Sequence, residues 1–535
     1  MGEAYDAIVV GAGHNGLACA CYLARAGLRV VVLEEYPAVG GMTLTEDLTL
    51  AGFRSDVHAS GYQLANISPA VGELELADHG VELIEPRVAF AHAFPDGNCI
   101  AVGKDLEAAE GSIARFSAKD GRTVRSLFER YRDERERIIT SMFSPAPSLG
   151  TAARIAEETP GGMDAYRFSL QSVRSWCDEL FEAEETKCLF AAFGAFVGHG
   201  PDDAAGAEIS WLFASVLQSE GNKLVKGGMN EVTLAMAAHL QSLGGTVRTS
   251  APVDEIIVRS GRAVGVRLRD GEEVAGGLVA SSVDPAQLVL KLLGEDVVGS
   301  AIADKARRIE WGDSVLVIYT ALDGPVEYRA GPRADEAAHV HLTGDSLSAL
   351  ATAVDECRAG SLPAAPAVVS WNDATIDPSR VPEGKDLKKF VVLGVPYEIS
   401  GDATREVGLG TWDEIKERYA DHLVEMISTQ FMPTLRERML KRVVHSPLDI
   451  ERKLSSAVHG TIPHGAPLPY QSGPLRPIPE LGQYRSPVSN VYLCGSGSHP
   501  GAGVSMAGGR NAAQVIYADL GLDFDPRPER RAEER

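Results

Sequence analysis

The chain has 535 residues, 44% of them hydrophobic and 23% charged, enough apolar material for more than one core and incompatible with a chain disordered throughout. Lys and Arg number 51 against 74 Asp and Glu, and the net charge of −23 repels phosphate backbones and anionic lipid, so nucleic acid is excluded as a partner and membrane contact is at most peripheral. The 7 cysteines lack framework spacing, no run of 18 apolar residues occurs, and the first strand begins too early for a signal peptide, which makes the expected location cytoplasmic.

The apolar run Ala7 to Val10 leads into Gly11, Gly13 and Gly16, and an apolar-periodic helix follows from Asn15 to about Ala26. A second apolar strand, Leu28 to Leu33, ends in Glu34. This is the strand, turn, helix and strand of a dinucleotide-binding unit. Gly11 permits the tight turn, Gly13 lets backbone approach a pyrophosphate, and Gly16 lets the helix pack on the sheet. The helix N-terminus favours the phosphates, and a carboxylate at Glu34 accepts hydrogen bonds from both ribose hydroxyls. A second glycine turn, Val39-Gly40-Gly41-Met42-Thr43, follows the acid. An NAD-binding unit has no need of it, and the arrangement resembles the FAD-binding start of the glutathione-reductase-like flavoproteins.

Gly52-Phe53-Arg54-Ser55-Asp56-Val57-His58 comes soon after and is expected near the flavin ring. Arg87 to Val102 alternates around Pro95-Asp96-Gly97, a hairpin signal. From Leu106 to about Gln218 the pattern turns helical, marking a second domain on the substrate side. The apolar stretch Leu189 to Val197, with Trp211 and Phe213, reads first as core and alternatively as the wall of a tunnel. Sheet-building resumes after Lys226-Gly227-Gly228-Met229, with a helix from about Asn230 to Leu243, strands near Thr246 and Val253, and Val253 placed to offer backbone hydrogen bonds to an adenine edge. Val315 to Leu322 reads as a strand, and a long charged helix is expected near Asp413 to Phe431. Near the end, a short strand enters the glycine-dense loop Cys494 to Gly509, which again points backbone N–H groups at an anion or a carbonyl. One cofactor with two phosphates at one end and a ring at the other occupies both turns.

These pieces carry a resemblance. VVGAGHNGLACACYLARAGLRVVVLE, VGGMTLTE, GFRSD, KGGMNEV, IDPSRVPEGK, SPLDIERKL, HGTIPHG and LRPIPELGQYRSPVSNVYLCGSGSHPGAGVSMAGGRNAA, in this order along the chain, resemble the phytoene desaturase superfamily of FAD-dependent oxidoreductases, in the branch with carotenoid ketolases and pyridine nucleotide-disulphide oxidoreductase domain-containing protein 2. The resemblance implies an α/β chain (α+β overall) with a Rossmann-like FAD-binding domain of glutathione-reductase type and an interleaved substrate domain. The FAD domain is expected over 1–86, 220–305 and 455–522, the substrate domain over 87–219 and 306–454, and a mobile tail over 523–535. Carried over by residue, Gly11, Gly13, His14, Asn15 and Gly16 line the pyrophosphate, Glu34 the ribose, Gly41 and Met42 the phosphates and ribityl, and Val253 the adenine. Gly495 approaches the pyrophosphate, and Gly503, Val504 and Ser505 the ribityl and flavin carbonyls. Many members of the superfamily have Arg where this chain has Met42, so backbone N–H groups must carry more of the phosphate load.

Hydride transfer to a flavin asks the protein mainly for binding and orientation, so side-chain catalysts leave little trace in a sequence. His58 and His499 are the flavin-side candidates for an acid or base, although a loop-holding backbone hydrogen bond is the plainer role for His499. His199 and His464 sit in turn-like settings that suit structural roles, and no His, Cys and acid cluster has metal-ligand spacing, so no metal is expected. Without a CxxC, disulfide reduction is set aside. The expected function is an FAD-dependent dehydrogenase, desaturase or oxidase that takes hydride from a carbon of a largely apolar small molecule. No second GxGxxG exists for a nicotinamide, so the electrons pass to dioxygen, a quinone or another acceptor. The alternatives are a flavin amine oxidase, which would need an aromatic cage, and a flavin-loaded scaffold without turnover.

Overall fold

The computed structural model describes residues 4–526. The opening unit consists of β1 (Tyr5–Val10), α1 (His14–Arg25) and β2 (Val30–Leu33). The chain then lays down β3 (Val88–Ala93) and β4 (Cys99–Val102) and passes through a helical region that includes α2 (Ala118–Met142), α3 (Glu184–Phe196) and α4 (Gly206–Glu220). It returns through α5 (Asn230–Ser242), β5 (Thr246–Arg248), β6 (Val253–Arg259), β7 (Arg262–Leu268) and β8 (Glu273–Ser281). A second excursion carries β9 (Ser314–Leu322), β10 (Ala337–Leu342), β11 (Val368–Trp371), β12 (Asp386–Val395), α6 (Trp412–Gln430) and β13 (Met439–His445), and β14 (Val491–Leu493) and α7 (Ala507–Asp519) close the fold.

Two sheets organise these elements. In the first, β5, β2, β1, β8 and β14 lie side by side in parallel, with Ala7 opposite Val30 on one flank and Leu278 on the other. Ile8, Val9, Val31 and Val32 are fully buried, as a parallel sheet covered on both faces requires. The early part of β8 also pairs antiparallel with β7, and β7 with β6, so one strand serves two layers. This is the α/β, Rossmann-like arrangement expected from the glycine motif. The second sheet runs β13-β9-β12-β11-β10-β3-β4, antiparallel except where β10 and β3 run together. The sequence shows only β9 and the β3–β4 hairpin of it. β11 is buried along its whole length and β12 along nearly all of it, so neither alternates.

The helical region is pinned by its caps. The buried Asp120 carboxylate on α2 accepts the N–H groups of Glu182 (3.0 Å) and Ala183 (2.9 Å), holding the turn that leads into α3. Of the tail expected to be mobile, 527–535 lies outside the described residues. The part before it is seated: the Phe524 ring packs against Tyr22 (5.4 Å) and Tyr517 (5.2 Å), and Arg25 donates to the Pro526 carbonyl at 3.0 Å.

Helices α1 and α7 cross at backbone distance. A Cβ on Gly509 would stand 2.0 Å from the Asn15 carbonyl oxygen, a collision with main chain that no rotamer relieves. Gly509→Ala is expected to lower stability by about 1–3 kcal/mol through forced separation of the two helices. A thermal melt checks this, and an unchanged melting temperature contradicts the close crossing.

Candidate functional site

The three glycines after β1 do different work. Gly11 has φ +96° and its Cβ would lie 2.4 Å from Ser282 Oγ, while a Cβ on Gly16 would lie 2.1 Å from the Gly11 carbonyl oxygen. Around Gly13, by contrast, no atom lies within 4 Å of the Cβ position, so its backbone faces open space at the start of α1. The second glycine turn is stitched to the first by Gly40 N–H donating to Ala12 O at 3.0 Å and by the Gly13–Gly40 bridge. The C-terminal glycine loop arrives at the same place. A Cβ on Gly495 would stand 2.4 Å from Ser282 O, Asn15 Nδ2 donates to Ser496 Oγ at 3.0 Å, and Gly509 N–H donates to Asn15 Oδ1 at 3.3 Å.

Two cavities meet here. The first, about 400 Å³, is lined by Gly11, Gly13, His14, Asn15, Gly16, Glu34, Gly41, Met42 and Val253, together with Tyr36, Ser282, Lys453 and Ser496. Glu34 is turned into its own loop: Oε2 accepts Ala12 N–H at 2.6 Å and Oε1 accepts Tyr36 N–H at 2.8 Å. Burial raises its carboxyl above the ordinary value, and these N–H groups oppose the rise. The second cavity, about 270 Å³, takes in Gly503, Val504, His58, Leu64, Phe213, Val317 and Trp371. His14, Met42, His464 and Ser496 line both cavities, so the two adjoin at these residues.

Of the sequence-derived site residues, Gly495 and Ser505 line neither cavity. Gly495 packs on Ser282, and the Ser505 hydroxyl accepts Ala507 N–H at 3.3 Å, so both shape the loop from behind. His499 also lies outside both linings, away from any substrate there; its Nε2 meets the Ser141 carbonyl at 3.0 Å, which is the loop-holding role and not that of an acid or base. His58 remains, with Nε2 buried and unpartnered and its pKa held well below the usual value, first by burial and then by His445 and Lys389. His464, whose sequence setting shows only a turn, lines both cavities. It sits at φ +51° with Nδ1 unpartnered, and burial and then Arg476 hold its pKa at about 4.

The fit to a flavin dinucleotide rests on these particulars. Buried ring nitrogens of His14 and His464 without protein partners, and the bare Cα of Gly13, suit a long ligand with a phosphate middle and a polar-edged ring. Burial holds the His14 pKa at about 4, so at neutral pH its ring is an uncharged partner.

The comparisons with known proteins agree. The family described as flavin containing amine oxidoreductase matches residues 16–516. The chain belongs to this family. The flavoprotein is 29% identical over 560 residues to pyridine nucleotide-disulfide oxidoreductase domain-containing protein 2 of Mus musculus, covering 96% of this chain and 94% of that protein. It is 26% identical to a limonene dehydrogenase component of Castellaniella defragrans (97% and 95% covered) and 26% identical to a lycopene-forming phytoene desaturase of a Paracoccus strain (97% and 98% covered). Among solved structures, an oxidoreductase from Methanosarcina mazei superposes with TM-score 0.62 at 16% identity, covering 96% of this chain and 100% of that one. The flavoprotein is thus an FAD-dependent oxidoreductase of the phytoene desaturase superfamily, as the sequence motifs imply.

Two further expectations meet the structure. All 7 cysteines are free and buried. One group among the described residues does approach metal geometry: Glu75, His79 and His239 hold their ligand atoms within 4.8 Å of one another. Arg25 approaches His239 Nε2 at 3.2 Å and can only donate, which places the imidazole proton on Nδ1, the atom 2.9 Å from His79 Nε2. The ring then shows its neighbours an N–H where a metal needs a lone pair. No helix among the described residues is long and apolar enough to cross a membrane.

Asp284, just behind the Ser282 wall, caps Gln287 N–H at 2.9 Å, and burial pushes its carboxyl up to about 6. The folded state therefore holds this proton more tightly than the unfolded chain, and stability falls as pH rises from about 4 to about 6. Asp284→Asn keeps the cap and removes the charge. It is expected to be more stable at pH 7.5 by on the order of 1–3 kcal/mol, with the gap closing below pH 4, in denaturant melts across pH.

Proposed function

We propose that the two cavities hold one FAD, with the adenosine along Glu34 and Val253, the pyrophosphate over Gly11, Gly13, His14, Asn15 and Gly16, and the ring where the cavities adjoin. Gly41 and Met42 pass the ribityl end, Gly503 and Val504 the ring edge, and Gly495 and Ser505 hold the loop that carries them. FAD supplies a two-electron acceptor for hydride when bound. The chain supplies the rest. The α1 N-terminus offers N–H groups to phosphate, and the carboxylate of Glu34 accepts from ribose hydroxyls.

The substrate is read from the second cavity. Leu64, Leu212, Phe213, Val317 and Val391 make its walls and exclude water, which favours a largely apolar small molecule. The observation that carries the reading is that, among the described residues, no carboxylate lines this cavity and its one permanently charged group is a cation, Arg476. An ammonium substrate would meet repulsion and find no counter-ion, whereas a hydrocarbon is undisturbed. Removal of hydride from one carbon and a proton from the next leaves a C=C bond, and His58, which lines the cavity with Nε2 unpartnered, takes that proton; its lowered pKa makes it a weak base that gives the proton up readily. A polyene or terpene matches what the relatives named phytoene desaturase and limonene dehydrogenase suggest by name. Dioxygen or a quinone then takes the electrons, and the protein works in the cytoplasm with at most peripheral membrane contact. A chamber of this size beside the ring position argues against a scaffold without turnover.

The test is anaerobic mixing of the FAD-loaded protein with acyclic polyenes, monoterpenes and a panel of primary amines. Polyenes or monoterpenes are expected to bleach the yellow flavin and amines to leave it unchanged; bleaching by amines alone reverses the assignment. His58→Gln is expected to retain FAD and slow bleaching roughly 10²- to 10⁴-fold. An unslowed rate removes His58 from the chemistry.

A further inference from the structure

Arg476 is an unusual cation. It is 3% exposed, lines the second cavity, and spends its donors on main-chain carbonyls: Nε on Ser496 (3.3 Å), one terminal nitrogen on Gly465 (3.2 Å), and the other on Pro463 (2.6 Å), His464 (3.3 Å) and Ser496 (3.0 Å). No carboxylate of the described residues pairs with it. Burial alone moves its pKa, down to about 10, so it stays charged at neutral pH. A buried cation held only by carbonyl dipoles is costly, and its charge is uncancelled in a region of low dielectric. Two of the residues whose carbonyls it grips, His464 and Ser496, are among the four that line both cavities.

We propose that Arg476 supplies the positive charge that stabilises the flavin ring when the ring turns negative on reduction. This rests on the placement of the ring where the cavities adjoin. Four carbonyl oxygens occupy five of the guanidinium contacts, so the group has no free fork with which to grip a substrate carboxylate. What it offers is a fixed field, which suits a charge spread over a ring. The carbonyl grip also fixes the loop 463–465 against Ser496, so the charge does not swing away when the cavity empties. Among the described residues no carboxylate lines the second cavity, so none opposes that field from the substrate side.

Sulfite tests this without turnover. Its sulfur lone pair forms a bond to flavin N5, and the displaced electron pair leaves the ring anionic, so adduct affinity reports positive charge nearby. The FAD-loaded wild-type protein is expected to bind sulfite. Arg476→Met, still yellow, is expected to bind it about tenfold or more weakly and to stand at least about tenfold further toward the oxidised form when equilibrated with a reference redox dye. Arg476→Lys keeps the charge and is expected to stay within about threefold of wild type in both. Wild-type protein that forms no adduct, or yellow Arg476→Met with unchanged sulfite affinity and dye ratio, overturns the proposal. If Arg476→Met does not fold, the lysine variant decides: retained adduct supports the charge, lost adduct overturns it. Failure of the wild-type protein to bind FAD at all instead overturns the cofactor placement.

Discussion

Asn15 is the residue on which the geometry turns. It stands in the first turn of α1, yet its side chain donates to Ser496 and accepts from Gly509, and its carbonyl oxygen lies against the Gly509 backbone. Two segments separated by almost the whole chain are thereby held at main-chain distance. Both polar ends of the amide are satisfied in a buried setting, where an unmet donor or acceptor costs about 1–3 kcal/mol. Gly509 follows from that distance, since a Cβ there strikes the Asn15 carbonyl, while Gly16 and Gly508 are bare for neighbouring reasons: a Cβ would strike the Gly11 carbonyl at the one and the Gly495 carbonyl at the other. The mouth between the cavities has its shape because this crossing does not yield.

A second constraint ties this unit to the other sheet. Asp56 and Arg380 pair at 3.0 Å, Asp373 lies 3.5 Å from the same guanidinium nitrogen, and all three are buried. Asp56 also accepts Met229 N–H at 2.8 Å and Thr45 Oγ1 at 2.7 Å. Lys389, on β12, reaches across to the His58 carbonyl at 2.7 Å and to Ser60. Burial works against ionising Asp56, and the cations Arg380 and Lys389 still hold its carboxyl below the usual value. Such a cluster is weak evidence for net stability, because desolvation offsets much of the attraction. What it does is directional: it sets the backbone around His58 against the sheet that forms the cavity floor.

The same features explain what was legible in the sequence. Gly11 is readable because its positive φ and its close approach to Ser282 admit little else, Gly41 because of its positive φ, and Glu34 because a carboxylate closes the motif. The C-terminal loop was readable from glycine density, though density does not reveal which residue faces the cavity, so Gly495 and Ser505 were placed one layer too far forward. β12 was unreadable because Lys388 and Lys389 look like a solvent edge. In the fold both ammonium groups are buried, Lys388 on Asn372 (2.6 Å) and Lys389 on the His58 carbonyl. His464 and Arg476 lie in proline- and glycine-rich stretches that read as plain turns, and only the tertiary crossing of 463–465 with 496 gives them a cavity to face. The motif HGTIPHG held the signal, a histidine inside a glycine-flanked turn, without the partner needed to interpret it.

Helix α4 packs against the rest of the helical region through buried Trp211, whose Nε1 donates to the Leu127 carbonyl of α2 at 2.9 Å, while Ile209, Leu212 and Phe213 look into the second cavity. None of these three lines the first cavity. Exchange of side chains along one face of a single helix therefore alters the length and girth of the chamber while the nucleotide cradle stays as it is. A scaffold with this separation can diversify its choice of substrate by ordinary point substitution and keep its redox apparatus untouched.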